Sequence, residues 1–191
     1  MPLRKIAQLG HPVLRQTARP FTQEELLSTS GQQLVDDLIA TMRDADGAGL
    51  AAPQIYESVR VCVIEVGQNP RYPYKPPIPL TVLVNPCIAP VSERTFSNFE
   101  GCLSVPNLRG RVNRFCEVQV SALDRFGQKL SFIVRGLSAG TFQHELDHLD
   151  GRIFVDRVQD PTTLCTWTEF DRHHKETFVK EAKALVAEFG S

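Results

Sequence analysis

Four short β-branched runs follow one another through the middle of this chain with no helical stripe between them, and that order limits the fold more than any other feature. They are Val59-Arg-Val-Cys-Val-Ile-Glu-Val66, Thr81 to Val84, Glu117 to Ala122 and Leu130 to Val134. A parallel sheet needs a crossover, usually a helix, between successive strands, so consecutive runs favour antiparallel pairing. In the third run Val118, Val120 and Ala122 alternate with polar residues, and Asp124-Arg-Phe-Gly127 turns it into the fourth as a hairpin. Helical stripes lie outside this block. Leu34, Leu38 and Met42 mark a first helix near residues 31–44, with Ser30 and Gln33 spaced as a capping box and Asp46-Gly47 as its stop. Downstream, Ser138 caps a helix that ends at Gly151, and Thr168 opens another that reaches Phe189, with Gly190 beyond it. The proline-rich residues 67–79 read as a loop. The expected class is α+β, with short, mostly antiparallel strands around a central helix, a first helix near 31–44 and a C-terminal helix. At 191 residues a single domain spanning 1–191 is expected.

Composition narrows the partners. Hydrophobic residues make up 42% of the chain, and 21 basic against 22 acidic residues give a net charge of −1, so the chain should fold and carries no global positive field. Neither direct nucleic-acid recognition nor a membrane partner is expected, because the longest aliphatic stretches fall far short of the ~20 residues of a membrane span. The first residues, Met1-Pro-Leu-Arg-Lys5, lead into no apolar core, so no secretory or transit signal is expected. Cysteines 62, 87, 102, 116 and 165 are odd in number and show no CxxC spacing, which points to a reducing compartment and a cytoplasmic location.

His144-Glu145-Leu146-Asp147-His148 is an HExxH on the predicted central helix. Four residues apart on a helix, its two imidazoles lie about 40° apart and can share one metal ion. A catalytic site needs a third protein ligand and an open position. Two residues compete for that role. Cys102, in Glu100-Gly-Cys-Leu-Ser104, offers an anionic thiolate from a glycine-containing loop, and Glu169 offers a carboxylate 21 residues past His148. Cys62, Cys87 and Cys116 lie in or beside strand runs and read as core thiols. His173 and His174 point about 100° apart on a helix and read as a surface pair. Glu145 follows a ligand without being one, which places it to take a proton from a water and return it to a leaving amine.

Three separated segments, Gly47-Ala-Gly-Leu-Ala-Ala-Pro-Gln54, Glu100-Gly-Cys-Leu-Ser104 and Gln143-His-Glu-Leu-Asp-His-Leu-Asp-Gly151, resemble the three signature motifs of the peptide deformylases, in the family's order. The resemblance spans about residues 1–160. It implies removal of the formyl group from the N-terminal formyl-methionine of new polypeptides. It also implies one divalent metal ion held by Cys102, His144 and His148, with Fe(II) as the physiological ion and zinc, nickel or cobalt able to replace it in purified protein. The oxyanion of the intermediate then falls to the Gln54 side chain and the Leu103 backbone N–H. Gly47, Ala48 and Gly49 are expected along the substrate backbone, and Glu100 and Arg109 occupy positions that contact substrate or support the site in relatives.

The helical wheel puts Leu137, Gly140 and Thr141 within about 60° of His144, so they are expected to wall the cavity beside the metal. Relatives carry larger aliphatic residues at Gly140 and Ala48, which predicts a wider or differently filled pocket, the alternative being that Phe142 or a loop residue compensates. Phe178, Ala182, Leu185, Val186 and Phe189 form an apolar stripe that should pack on the body. Some relatives dock a basic C-terminal helix on the ribosome. Residues 169–191 here carry four basic residues against five acidic ones, so at most a transient ribosome contact joins N-formyl-methionyl nascent chains as a partner.

Overall fold

The strand runs pair as their order requires. In the computed structural model, which describes residues 3–67 and 74–190, β1 (Gly49–Ala51), β2 (Val61–Val66), β3 (Ile78–Pro90), β6 (Glu117–Leu123) and β7 (Lys129–Arg135) form one antiparallel sheet in that order. Two further strands, β4 (Thr95–Cys102) and β5 (Val105–Phe115), form a separate antiparallel pair. Helices α1 (Gln23–Leu27), α2 (Thr29–Asp44), α3 (Gly136–Leu149), α4 (Trp167–His173) and α5 (Lys175–Phe189) complete an α+β architecture.

The continuous apolar run of β2 reflects burial on both faces. Val61 and Val63 pack with Val35, Leu38, Ile39 and Met42 of α2, whereas Cys62 and Ile64 pack with Ala139, Phe142, Leu146 and Leu149 of α3. Alternation along a strand sends successive side chains to opposite faces, so two helices sandwich the sheet. Helix α3 carries the HExxH and touches β1, β2, β3, β5, β7 and α5, with His144 its one incompletely buried residue. A polar motif so enclosed must have its charges satisfied internally.

Several boundaries depart from the sequence reading, each for a local reason. The first long helix begins at Thr29 because Ser28, not Ser30, accepts from the Gly31 N–H; the capping box lies upstream, between Thr22 and Glu25. Gln33 instead donates to Asp37. Helix α3 begins at Gly136, whose φ of +55° turns the chain out of β7, so Ser138 lies inside the first turn rather than capping it. The helix stops at Leu149 before Gly151, as read. Thr166, not Thr168, caps α4, and a break at His174 separates α4 from α5, which places Phe170 and Phe178 together against Phe99. Of the predicted loop, residues 68–73 lie outside the described residues, and β3 already starts at Ile78. Cys87 is exposed within β3, while Cys62 and Cys116 are buried. Among the described residues no helix is long and apolar enough to cross a membrane.

Candidate active site and metal centre

His144 and His148 stand one turn apart on α3, and the end of β4 brings Cys102 to them. One donor atom from each of the three lies within 4.8 Å of the others, with Cys102 Sγ 3.3 Å from His148 Nε2. The Ser104 N–H and Gln54 Nε2 also donate to Sγ, at 3.4 and 3.5 Å. Burial alone would push the Cys102 thiol up, but the charge and hydrogen bonds of His148 and His144 outweigh it and hold the thiol well below its ordinary value. A thiolate with two imidazoles is a donor set that suits zinc, iron(II), cobalt or nickel. The residues therefore fit a divalent ion.

Behind the donors lies a buried charge network. Glu100 receives Arg114 in a bidentate pair at 2.8 and 2.9 Å, and its Oε2 lies 2.8 Å from His144 Nδ1. That contact fixes the ring and leaves Nε2 to face the cluster. Arg114 extends to Asp147 at 2.6 Å, and Asp147 also accepts from Arg157 at 2.6 Å. Two carboxylates thus meet two guanidiniums. Burial would raise the Glu100 carboxyl, yet Arg114 holds it well below the usual carboxylate range.

Glu145 projects from α3 into the adjoining cavity, which is also lined by Gln54, Leu103, Gly140 and Thr141. Its Oε2 is buried without a hydrogen-bond partner among the described residues, and burial raises its carboxyl above the ordinary value. Gly49 permits this placement, because a Cβ there would stand 2.5 Å from Glu145 Cδ. Gly49→Ala is expected to displace that carboxylate, lowering kcat at least tenfold, and to destabilise the fold by about 1–3 kcal/mol through overpacking. Steady-state kinetics beside thermal unfolding check both effects. The Gln54 amide is fixed at both ends: Oε1 accepts from the Ala51 N–H at 2.8 Å and Nε2 donates to Ser104 Oγ at 3.1 Å.

The cavity brings together Gly47, Ala48, Gly49, Glu100, Cys102 and His144 with Gln54, Leu103, Gly140, Thr141 and Glu145. Leu137, expected in the wall, and Arg109, expected to contact substrate or support the site, do not line this cavity. Leu137 lines a separate groove with Phe96, Phe178 and Ala182, because seven residues along a helix restore its bearing but displace it by about 10 Å along the axis. Arg109 sits behind the wall: one guanidinium nitrogen donates to the Phe99 carbonyl at 2.7 Å, and the group stacks on Trp167 and Phe170. Gly140 does not open a wider pocket. A Cβ there would lie 3.1 Å from Phe96 Cζ and 3.3 Å from Asn98 Nδ2, so β4 fills the space, while Phe142 packs on Phe132 in the core. Glu169 lies half-buried on α4, pairing with Arg172 and His173, and is not among the three converging donors. The sequence reading missed Lys75, Asn98, Arg114 and the structural part of Asp147. The last alone had a signal, since its i+3 spacing from His144 places it on the same helix within a turn.

A buried sulfur and two imidazoles beside a carboxylate whose Oε2 has no hydrogen-bond partner among the described residues define, in this fold, a metal-dependent hydrolase of the HExxH type. The sequence profile of the polypeptide deformylase family matches residues 3–163, and the chain belongs to that family. It is 42% identical over 165 residues to peptide deformylase 2 of Nostoc sp., covering 86% of this chain and 91% of that protein. Among solved structures, a class I type b peptide deformylase from Acinetobacter baumannii superposes with a TM-score of 0.80 at 40% identity, over 83% of this chain and 100% of the other. The same enzyme has been solved with Met-Ala-Ser bound. Peptide deformylase from Thermotoga maritima follows at a TM-score of 0.73 and 32% identity, covering 84% and 100%. This chain is accordingly a metal-dependent hydrolase that removes the formyl group from newly made polypeptides.

Proposed function

We propose that Cys102, His144 and His148 hold one divalent ion, Fe(II) under physiological conditions, and that the cavity beside them hydrolyses the formyl amide of N-formyl-methionyl peptides. The observation that carries this reading is the convergence of three donor atoms from two elements within 4.8 Å, next to the buried carboxylate of Glu145. An ion held there lowers the pKa of water toward ~7 and polarises the formyl carbonyl. Glu145 then removes a proton from the attacking water and delivers it to the amine nitrogen as the carbon–nitrogen bond breaks, releasing formate and a free N-terminus. Gln54 Nε2 and the Leu103 N–H are assigned to the formyl oxygen as it gains charge, each worth ~3–4 kcal/mol on the precedent of other hydrolases. Glu100 keeps His144 in its tautomer.

In this reading Gly47, Ala48 and Gly49 pair with the peptide backbone, and Gly140 and Thr141 with Glu100 wall the space for the first side chain. Arg109 acts from behind that wall, bracing the Phe99 carbonyl. The Met-Ala-Ser complex of the Acinetobacter relative supports a peptide beginning with methionine. Residues 1–191 act as one catalytic domain on nascent chains in the cytoplasm, with no more than a passing contact to the ribosome. Formate release from a formyl-Met tripeptide, set beside its acetylated and unformylated counterparts, tests the reading; equal turnover of the acetyl peptide rejects it.

Two predictions arise here. Cys102→Ala should weaken metal binding by more than the about 10–100-fold typical of outer-shell changes, while Glu169→Ala leaves it intact. Metal content after dialysis decides between them. Iron-loaded protein prepared without oxygen should outpace aerobic zinc-loaded protein, and equal kcat/KM for the two would remove the case for iron.

A further inference from the structure

Alternate residues of a strand share a face, and on β4 this sends Phe96, Asn98 and Glu100 together towards α3. Glu100 meets His144, while Asn98 and Phe96 meet the bare backbone of Gly140. A Cβ at residue 140 would stand 3.1 Å from Phe96 Cζ and 3.3 Å from Asn98 Nδ2, so the ring tip occupies the place where a side chain on the helix would begin. Gly140 also lines the catalytic cavity, whose lining is mixed: Asn98 and Lys75, the latter tied to Thr141 Oγ1 at 3.0 Å, stand with Phe99 and Leu103. Beyond Gly140 the half-buried Phe96 lines a groove of about 340 Å³ with Leu137, Phe178, Ala182 and Leu185. The charges along that groove are paired, Arg111 with Glu181 at 3.0 Å and Glu188 with Arg94 at 2.6 Å. One ring thus partitions the space assigned above to the first side chain from a second, largely apolar space.

A side chain too long for a closed apolar pocket must displace the group that closes it, and a single methylene decides about 10–200-fold in turnover. We infer that Phe96 is a specificity-determining residue: its ring, in place of a side chain at residue 140, closes the pocket at the length of methionine, and the apolar groove behind it is where a longer unbranched chain would run. The inference rests on the active-site reading above.

The test uses the metal-loaded full chain and two peptides that differ only in the first side chain. Formyl-norleucine-Ala-Ser matches methionine in length, and formyl-2-aminooctanoyl-Ala-Ser is two methylenes longer. Formate release gives kcat/KM, and calorimetry gives the Kd of the two deformylated peptides, even for a variant that turns nothing over. Wild type should favour the shorter peptide at least about tenfold, and Phe96→Ala should raise the long-to-short ratio at least about tenfold. Phe96→Leu keeps more of the packing and should shift the ratio less in the same direction, which serves if the alanine variant does not fold. Adding Gly140→Val to Phe96→Ala restores a side chain at residue 140 and should return the ratio towards wild type. Binding ratios should move alike. Wild type accepting both peptides equally, a ratio unchanged in both Phe96 variants, or a double variant as open as Phe96→Ala overturns the inference and leaves the ring as packing alone. Failure of wild type to release formate from the shorter peptide would instead reject the active-site reading itself.

Discussion

Replacing Glu145 with alanine is expected to lower kcat at least about 100-fold while the metal content of the protein stays unchanged. The carboxylate is not one of the three converging donors, so its removal leaves Cys102, His144 and His148 in place. Its buried Oε2 has no hydrogen-bond partner among the described residues, and burial raises its proton affinity. Both features suit a group that must accept a proton and then give it up within one turnover. Because the transfer belongs to the transition state, KM should change little. Kinetics and metal analysis on one preparation separate the outcomes. Loss of metal together with activity would make Glu145 a ligand, and activity within tenfold of wild type would require another base.

Arg114→Met is expected to destabilise the fold by about 3–5 kcal/mol, the usual result of stripping one partner from a buried ion pair. The Arg114 side chain is 3% exposed and is the only group that bridges Glu100 and Asp147 among the described residues. Asp147 would keep Arg157, but among the described residues Glu100 would retain only the His144 contact and the long Asn98 contact of 3.4 Å as side-chain hydrogen bonds. Its carboxyl should then rise toward protonation, and with it the anchor on His144 weakens, which predicts about 10–100-fold poorer metal affinity. Urea unfolding of the metal-free protein and a chelator competition measure the two effects independently. A loss under about 1 kcal/mol, the range of an exposed pair such as Arg94–Glu188, would show the network to be dispensable.

What the sequence made readable follows how local each signal was. The HExxH spacing fixes two donors and Glu145 on one helix, and the hairpin of β6 and β7 announces itself by alternation and its turn. The third donor was not decidable from spacing alone, because Cys102 and Glu169 both sat at acceptable distances along the chain and only the family motifs separated them. Strands β4 and β5 escaped notice because they carry Asn98, Glu100, Arg109, Arg111 and Arg114, residues that read as loop until their partners are known. Those partners are distant: Arg114 meets Asp147 33 residues away, and Arg111 meets Glu181 70 residues away. The three residues of β1 become a strand only by pairing with β2. Lys75 gave no signal within a proline-rich stretch, since a lone lysine there is indistinguishable from a solvated one. The wheel placed Leu137 at the right bearing and could not see its distance along the axis.

The aromatic packing around Arg109 ties the end of the chain to the support of the site. Trp167, Phe170 and Phe178 all lie beyond residue 163, where the shared family profile stops, yet their rings cover a guanidinium that braces the carbonyl of Phe99. Phe99 in turn borders the reaction chamber. The segment beyond residue 163 thus acts as structural masonry for the body that carries the chamber, and a chain trimmed at that point would hand the guanidinium to water and loosen one side of the chamber.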